Sequence, residues 1–559
     1  MKKLLLSAGM LTLLAPSVIG QIKEFNKPTD QYFEISKNLE IYSNIFKELN
    51  SYYVDPIEPG KMSKSAIDAM LYELDPYTNF FTETDKEDYE FQTTGRYAGI
   101  GAGLQVIDSN FYIGKVFENS PVHKAGIKAG DQLVSINEIL LKGKTYDEIS
   151  LLLRGAPGTD LELEVINPQD KAPVKKKVTR ESIEIKSVPI YKLIGTDSKT
   201  AYVCLSQFTA NCSDDVKKAL VDLKKQEPGL NAVVLDLRSN PGGLLHEAVK
   251  ICNLFIPKGQ LVVSTKGKNQ EADNEHYTEA EPWDANIPLV VLLNNESASA
   301  SEVVAGTIQD LDRGVIVGVK SFGKGLVQQV KSLGYNTSLK LTVAKYYTPS
   351  GRCIQAIDYS HKNPDGSVST VPDSLKKAFY TRIGRVVYDG GGVDPDVPTK
   401  DQDVNRTLIA LQNDGQIFDF ATDYYYKHPS IAGPEEFYIT DKDFNDFVTF
   451  IDHKKYSYES ISEELIKTLE EILKQEKYLD DAKGTIEKLK ADIETGKKNS
   501  LQRSREEIKL ILSNEITSRY YFETGRVVNR LYHNDKELNK ALEIIADLDR
   551  QYIPVLQKK

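Results

Sequence analysis

The feature that most constrains this fold is a pair of strongly apolar runs near the middle of the chain. Residues 232–237 read Ala-Val-Val-Leu-Asp-Leu, and residues 288–293 read Pro-Leu-Val-Val-Leu-Leu. Short runs rich in Val and Leu are typical of β-strands. Between about residues 186 and 400 such runs alternate with helical stretches. This alternation predicts an α/β core.

Composition and charge narrow the class of protein. The 559 residues, 40% hydrophobic and 27% charged, are typical of a soluble globular protein with more than one hydrophobic core. A net charge of −11 without a basic stripe argues against nucleic acid as a partner. The four cysteines are too few for a disulfide scaffold and lack the spacing of a zinc site: Cys204, Cys212, Cys252 and Cys353. They leave open one disulfide or buried free thiols.

The N-terminus has the pattern of an export signal. Residues 1–20 contain two lysines, then an apolar run, then small residues that end at Gly20. This order predicts a secretory signal peptide that is cleaved after Gly20. An uncleaved anchor is the alternative, although the apolar run is short for a membrane span. No cysteine follows the run, which argues against a lipid-modified N-terminus, and no later segment is apolar enough to cross a membrane.

Changes in residue pattern divide the rest of the chain into four predicted regions. Residues 21–88 are predicted to be helical, because their apolar residues recur mostly at three- and four-residue steps. Residues 89–185 contain short strands and glycines, and residues 186–400 form the α/β core. Residues 401–559 are charged and helical, with a solvated surface and no assigned role. The predicted fold class is therefore multidomain α/β, with helical regions at both ends.

A glycine-rich motif in the core raises the question of a nucleotide site. Residues 318–324 read Gly-Val-Lys-Ser-Phe-Gly-Lys, which resembles most of a phosphate-binding loop. Such a loop needs Ser or Thr directly after its lysine, and this chain has Gly325. The loop must also open a helix, whereas Leu326–Val330 has the pattern of a strand. The sequence thus argues against nucleotide binding and leaves Lys324 either in an exposed turn or in a catalytic role.

A cluster of small residues follows the second apolar run. Residues 294–302 read Asn-Asn-Glu-Ser-Ala-Ser-Ala-Ser-Glu, and the pattern of a helix begins there. Nucleophilic serines are presented at strand-to-helix turns of this kind, because the free N–H groups of the helix can hold an oxyanion. However, Ser299-Ala-Ser-Glu302 also has the pattern of a capping box, in which Ser299 would only cap the helix. This motif alone leaves both interpretations open.

Taken together, the two motifs resemble the C-terminal processing peptidases, also called tail-specific proteases. This family of serine peptidases uses a Ser–Lys dyad and places its lysine 25 positions after its serine, which matches Ser299 and Lys324. The family's supporting glutamine, four residues beyond the lysine, falls on Gln328. The resemblance covers about residues 35–400. Further family signatures appear in the expected order, at residues 235–243, 347–352 and 393–396.

The resemblance implies a serine endopeptidase mechanism without a metal or nucleotide cofactor. Ser299 would be the nucleophile and Lys324 the general base that removes its proton. A lysine can do this only if burial lowers its pKa from about 10.4 to roughly 7–8. No acidic residue adjoins Lys324 in sequence, and Gln328 would share its strand face and orient the amine.

An oxyanion hole needs two N–H donors directed at one point. The N–H of Ala300 is one candidate. The second is predicted in the Asn-Pro-Gly-Gly loop after residues 232–237, at Gly243 rather than Gly242. His246 lies near this loop and suggests a Ser–His triad, but the lysine already fills the role of base. We therefore expect His246 to be a helix-surface or packing residue.

The glycine-rich segment near residue 100 resembles the start of a PDZ domain. The segments that follow it, up to the helix-like residues 146–153, have the order of such a domain. A PDZ domain captures a C-terminal carboxylate in a nest of backbone N–H groups and adds the peptide as an extra strand. By resemblance, the nest is formed by Gly99, Ile100 and Gly101. The pocket for the last side chain would be lined by Leu104, Ile149 and Leu152.

The sequence as a whole predicts an exported endopeptidase of a bacterial periplasm that cleaves unfolded or tail-exposed proteins near their C-termini. Its partners would be polypeptides with accessible C-termini. The family's N-terminal helices suggest a homodimer, and a regulatory protein partner is left open. Arg154 either couples peptide binding to the dyad or is a simple charge at a helix end. The alternative function is a non-catalytic PDZ scaffold or chaperone on a peptidase fold, because fold does not prove function.

Overall fold

The computed structural model describes residues 28–169, 172–363, 367–400, 405–454, 460–533 and 535–557. The predicted signal peptide, residues 1–20, lies outside these ranges. The chain divides into two compact units, Met1–Glu73 and Leu74–Lys559, which are described separately below. None of the helices in the described ranges combines the length and the apolar character that a membrane span requires.

The first unit contains two helices, α1 (Pro28–Tyr52) and α2 (Pro59–Tyr72). Pro59 occupies the first turn of α2, where a missing N–H removes no helical hydrogen bond. The helical character predicted for this region is confirmed. Large apolar side chains are exposed along α1: Tyr32, Phe33, Ile35, Leu39, Ile41, Tyr42 and Ile45.

The second unit begins with a feature that the helical prediction did not include. A short strand, β1 (Asn79–Phe81), precedes α3 (Glu83–Thr94). Gly95 ends this helix in the left-handed conformation, with φ of 71°. The helical segment therefore extends six residues beyond the predicted limit of residue 88, and it is interrupted by a strand.

The PDZ region is a small antiparallel sheet with two short helices. Its elements are β2 (Arg96–Gly99), β3 (Ala102–Ile107), β4 (Asn110–Val116), α4 (Pro121–Lys124), β5 (Gln132–Ile136), β6 (Ile139–Leu140), α5 (Tyr146–Leu153), β7 (Asp160–Ile166), β8 (Pro173–Thr179) and β9 (Glu181–Glu184). The main sheet has the order β3-β4-β5-β7-β8, so β3 is an edge strand. Strands β2 and β9 pair separately, where the chain enters and leaves this region.

The α/β core contains two large sheets and two two-stranded sheets. Its elements are β10 (Ile190–Ile194), β11 (Thr200–Cys204), α6 (Cys212–Gln226), β12 (Ala232–Asp236), α7 (Leu245–Asn253), β13 (Leu261–Gly267), β14 (Asn274–Tyr277), β15 (Leu289–Leu293), α8 (Ala300–Asp310), β16 (Val315–Gly318), β17 (Leu326–Gly334), β18 (Thr337–Tyr347), β19 (Ile357–Lys362), β20 (Val368–Thr370), β21 (Ala378–Tyr380), β22 (Val386–Tyr388) and β23 (Val397–Pro398).

The larger sheet of the core has the order β10-β11-β12-β15-β16-β23, and all its pairs except β10–β11 are parallel. Helices α6, α7 and α8 cover one face of this sheet. The second sheet has the order β1-β18-β13-β14, and β17 forms a long hairpin with β18. The α/β core predicted from the apolar runs is therefore confirmed. All four cysteines are free thiols, and Cys353 is the least buried of them.

The C-terminal region is helical, as predicted. Its helices are α9 (Arg406–Asn413), α10 (Gln416–Lys427), α11 (Asp441–His453), α12 (Ile461–Glu476), α13 (Leu479–Arg503), α14 (Arg505–Tyr532), α15 (Lys536–Ala546) and α16 (Ile553–Gln557). Helices α9, α10, α11 and the first half of α14 share one hydrophobic cluster. The end of α14 and α15 pack on the second face of the large parallel sheet. The sheet is therefore covered by helices on both faces, as parallel sheets require.

Candidate active site

Ser299 lies at the turn between strand β15 and helix α8. Its backbone has φ of 56° and ψ of −113°, which is unusual for a residue with a side chain. The N–H of Glu302 donates to the carbonyl oxygen of Ser299 at 2.8 Å, so the backbone already satisfies this helix amide. The capping box predicted for this stretch is also present, and Ser299 nevertheless keeps part of its side chain exposed. A capping role and an accessible hydroxyl therefore coexist at this residue.

The neighbouring serines hold the turn in place. The hydroxyl of Ser297 donates to the carbonyl oxygen of Leu237 at 2.8 Å, and that of Ser301 donates to the carbonyl oxygen of Asn240 at 2.9 Å. Both side chains are fully buried, with 0% exposure, whereas Ser299 is partly exposed. Of the three serines in this stretch, Ser299 is thus the one that a substrate can reach.

Glu302 is the buried centre of the site. Its Oε2 accepts from the N–H of Ser299 at 2.8 Å and from the N–H of Lys324 at 2.9 Å. Its Oε1 accepts from the Ser321 hydroxyl at 2.6 Å and from the N–H of Gly323 at 2.7 Å. Burial raises the pKa of Glu302 to about 7, although these donors lower it. One carboxyl group therefore accepts hydrogen bonds from both the turn that carries Ser299 and the loop that carries Lys324.

Lys324 lies in the loop before β17, with glycines on both sides. A Cβ atom on Gly325 would lie 2.7 Å from the backbone nitrogen of Gln355, so the loop approaches its neighbour more closely than a side chain allows. Burial, together with the nearby Lys340 ammonium, lowers the pKa of Lys324 to about 8. The carboxylates of Glu302 and Asp75 oppose this shift. The lysine therefore has the pKa that a general base near neutral pH needs.

The predicted site residues line one cleft of about 510 Å³. Its walls include Ser299, Ala300, Gly243, Lys324 and Gln328. The side chain of Gln328 donates to the Thr342 hydroxyl on the paired strand β18 at 3.3 Å. The tertiary structure thus brings together residues from three separate segments of the chain.

The loop after β12 lies directly against the serine turn. A Cβ atom on Gly242, whose φ is 100°, would lie 2.7 Å from the Cβ of Ser299 and 2.9 Å from the nitrogen of Ala300. The N–H of Gly242 donates to Asn240 Oδ1 at 2.9 Å. Within the described ranges, the N–H groups of Gly243 and Ala300 have no such acceptor. These two amides are therefore the ones free to hold an oxyanion.

Sequence reasoning missed several groups of the site. Glu302 was visible only as a capping residue. Tyr346 is buried, and its hydroxyl donates to the carbonyl oxygen of Lys324 in a short hydrogen bond. The centroid of the Tyr77 ring lies 4.3 Å from the Lys324 amine. The sequence signal available for Tyr346 is its position beside the signature at residues 347–352.

His246 lies outside this arrangement. It sits on α7 with an exposed side chain, and its Nε2 is 3.4 Å from a carboxylate oxygen of Glu247. It is not among the described residues that line the cleft. Across the described ranges, no group of three or more His, Cys, Asp or Glu side chains is arranged to hold a metal ion.

The predicted carboxylate nest lies between β2 and the edge strand β3. Gly101 has φ of 76°, and a Cβ atom there would lie 2.2 Å from the Cβ of Ser120, so only glycine fits. The Tyr97 ring lies against Gly99, 2.6 Å from where its Cβ would be. Ile100 is buried in the core of the PDZ region.

The three residues predicted to line the apolar pocket differ in burial. Ile149 is 0% exposed and packs inside the PDZ core. Leu104 and Leu152 are partly buried against the same core and retain accessible surface. Arg154 directly follows α5, and its N–H donates to the carbonyl oxygen of Ser150 at 3.1 Å.

Three known protein families match parts of this chain. Residues 199–368 match peptidase family S41, and residues 112–167 match a PDZ domain. Residues 407–545 match the probable PDZ-protease, C-terminal helical domain. The helical region that had no assigned role is therefore a domain found together with PDZ-containing proteases.

Individual proteins show the same similarity. A probable CtpA-like serine protease of Staphylococcus aureus is 35% identical over 430 residues, which cover 76% of this chain and 82% of the relative. A carboxy-terminal-processing protease of Bartonella bacilliformis is 34% identical over 379 residues, with 67% and 85% covered. The solved photosystem II D1 C-terminal processing protease aligns with 68% of this chain and 97% of its own, at 24% identity and a TM-score of 0.36. This chain belongs to the carboxy-terminal-processing proteases of peptidase family S41.

Proposed function

We propose that this protein is an exported serine endopeptidase that uses Ser299 as nucleophile and Lys324 as general base. The main support for this proposal is that both residues line one cleft, where the serine is accessible and the pKa of the lysine is lowered to about 8. A lysine with an ordinary pKa of about 10.4 would be almost fully protonated at neutral pH and unable to take a proton. With a pKa near 8, a useful fraction of the amine is neutral.

The reaction would follow the chemistry of acyl transfer. The neutral amine of Lys324 takes the hydroxyl proton of Ser299, and the serine oxygen attacks the peptide carbonyl carbon. The N–H groups of Ala300 and Gly243 hold the resulting oxyanion. The Lys324 ammonium then gives its proton to the departing amine, and the acyl-enzyme forms. Water, deprotonated by Lys324, releases the new C-terminus, while Gln328 orients the amine.

The PDZ region would select substrates by their C-terminal tails. Strand β3 is an edge strand, so its free backbone groups can pair with an added peptide strand. The N–H groups around Gly99, Ile100 and Gly101 would hold the terminal carboxylate, and Leu104 and Leu152 would contact the last side chain. We propose unfolded or tail-exposed proteins as the substrates, because only these offer a free, extended C-terminus.

Location and assembly follow from the ends of the chain. The predicted signal peptide supports export, and the relatives are bacterial proteases, so we propose a periplasmic or otherwise exported location. The apolar side chains exposed along α1 support a homodimer formed through this helix. The apolar side chains exposed along α1 are also compatible with a regulatory protein partner. Sedimentation of the mature chain and of a Leu39→Glu variant tests the dimer, which the substitution should dissociate.

Cleavage of an unstructured protein by the purified mature chain tests the proposed activity. We expect Ser299→Ala and Lys324→Ala each to reduce cleavage by roughly 10³-fold or more, with the far-UV circular dichroism unchanged. Lys331→Ala, at an exposed lysine of the same strand β17, is the matched control and should retain full activity. An active Ser299→Ala variant would overturn the mechanism. A wild type that binds tail peptides but never cleaves them would indicate a binding protein instead.

A further inference from the structure

We propose that residues Asp75–Thr78, here named the Asp75 turn, are a positioning element for the catalytic lysine. In this arrangement the Tyr77 ring covers the Lys324 amine and keeps water away from it. The inference depends on the proposed role of Lys324 as general base. It adds a residue that the Ser–Lys–Gln set does not contain.

The contact between the ring and the amine is direct. The Nζ atom of Lys324 lies 4.3 Å from the centroid of the Tyr77 ring, which is within the range of a cation–π interaction. The Tyr77 ring also meets the Tyr359 ring edge-on at 6.0 Å between centroids. The ring therefore contacts both the amine and a second aromatic side chain.

Internal hydrogen bonds fix the shape of the turn. Asp75 Oδ1 accepts from the N–H groups of Tyr77 and Thr78, both at 2.8 Å. The Thr78 hydroxyl donates to Asp75 Oδ2 at 3.1 Å. The side chains of Asp75 and Thr78 are buried, at 8% and 2% exposure. Because both anchors are buried, the backbone that carries Tyr77 has little freedom to move.

The same turn is connected to Gln328. The N–H of Thr342 donates to the Thr78 hydroxyl at 3.2 Å, and the Thr342 hydroxyl accepts from Gln328 at 3.3 Å. Strand β1, which directly follows the turn, pairs with β18, and Asn79 lies opposite Lys340. The sheet thus sets the position of the Asp75 turn, and the Asp75 turn places Tyr77 over the lysine.

The ring has two opposing effects on the lysine. Its π face attracts the protonated amine, whereas its bulk excludes the water that would solvate that charge. Burial is the largest cause that lowers the pKa of Lys324 to about 8, and the ring is one of the groups around the amine. The other charged or titratable groups that face this region are Lys340, Asp75, Glu302, Tyr346 and Tyr359. Truncating the ring would admit water and raise the pKa of the amine.

The experiment measures the reactivity of Ser299 against pH. A small fluorophosphonate reagent, which loses fluoride when the serine oxygen attacks it, is reacted with the wild type, Tyr77→Ala and Tyr77→Phe between pH 6 and 10. We expect the Tyr77→Ala profile to move to higher pH by about one unit, so that inactivation at pH 7 slows about tenfold and recovers at high pH. Tyr77→Phe keeps the ring and should follow the wild-type profile.

The outcomes separate the inference from alternatives. A role of Tyr77 in folding alone would lower the rate equally at every pH, and this result would overturn the inference. A profile that is unmoved or shifted to lower pH would overturn it as well. Tyr77→Ser provides a second truncation in case Tyr77→Ala does not fold, and Tyr380→Leu, at an exposed tyrosine, is the control. If Ser299→Ala and Lys324→Ala still react at the wild-type rate, the proposed function itself fails.

Discussion

The turn that carries Ser299 and the loop that carries Gly101 in the PDZ region both require an unusual backbone conformation, and they stabilise it in different ways. Both follow a strand, and both have a residue with positive φ, at Ser299 and at Gly101. At Gly101 the residue type removes the strain, because glycine adopts φ of 76° at no steric cost. At Ser299 a side chain is present, and this conformation costs about 1–3 kcal/mol. The surroundings of Ser299 must therefore supply the stabilisation.

Glu302 is the main source of that stabilisation. Its carboxyl group accepts hydrogen bonds from Ser299, Ser321, Gly323 and Lys324, and it has no exposure to solvent. At Gly101 the described contacts include Ser120 and the hydroxyl of Tyr97. The conformation at Ser299 thus depends on a carboxyl group shared with the loop at residues 321–324, whereas the conformation at Gly101 follows from the residue type itself.

Glu302→Ala is expected to have the largest effect on cleavage. This variant leaves three buried or half-buried N–H groups without an acceptor, which costs about 1–3 kcal/mol for each group. Both the nucleophile and the base lose their position, so we expect cleavage to fall about 10³-fold and the thermal unfolding temperature to fall as well. Glu296→Ala, at an exposed carboxylate in the same turn, is the matched control. A fully active Glu302→Ala variant would show that the turn supports itself.

The second effect is the pH dependence of kcat/KM. The base must be neutral, and its pKa is lowered to about 8, so activity should rise with pH and fall about fiftyfold between pH 8 and pH 6. Below pH 7 the fall should be steeper than one proton predicts, because the pKa of Glu302 is raised to about 7 and its protonation weakens the turn. Tail-peptide binding to the PDZ region should stay constant over this range. Parallel pH profiles of cleavage and binding check both statements.

A smaller effect is expected from Gly101→Ala. The added Cβ would lie 2.2 Å from the Ser120 Cβ at a backbone conformation that alanine disfavours. We expect about a tenfold weaker affinity for tail peptides, measured by fluorescence anisotropy, with kcat on short untailed substrates unchanged. Gly126→Ala has a similar φ of 68° but open space around its Cβ, so it controls for backbone strain alone. A loss of kcat in Gly101→Ala would contradict the separation of the two sites.

The smallest effect is expected from His246→Ala. The side chain is exposed on α7 and is not among the described residues that line the cleft. We expect less than a twofold change in kcat/KM, since surface substitutions away from functional groups are usually near neutral. A loss of more than tenfold would mean that a histidine takes part in the reaction, and the Ser–Lys assignment would need revision.

Local patterns in the sequence predicted much of what the structure contains. The strand nature of residues 326–330, the helix after Ser299 and the α/β core all followed from periodicity and residue type. The resemblance to the C-terminal processing peptidases implied the roles of Ser299, Lys324 and Gln328, which the structure places in one cleft. These features are visible locally because each depends on a single short segment.

Other parts of the site could not be predicted from local patterns. Glu302 has the sequence signature of a helix cap, and only the packing of the 321–325 loop shows its second set of hydrogen bonds. Tyr77 reaches Lys324 only because β1 pairs with β18. The resemblance to a PDZ domain places Ile149 in the lining of the peptide pocket, and only the tertiary structure shows that it is buried in the PDZ core. In each case the deciding contact joins segments that are distant in sequence.

By itself, the sequence determined an α/β core and charged helices at the C-terminus, because periodicity and turn chemistry are local properties. The PDZ-like region followed from a family resemblance. Only the tertiary structure decided which helices would cover the second face of the parallel sheet. Val234, Val290 and Leu292 are buried there under α14 and α15, from the far end of the chain. Strands in a parallel sheet must be buried on both faces, but their sequence does not specify the covering element. That choice depends on how whole domains pack.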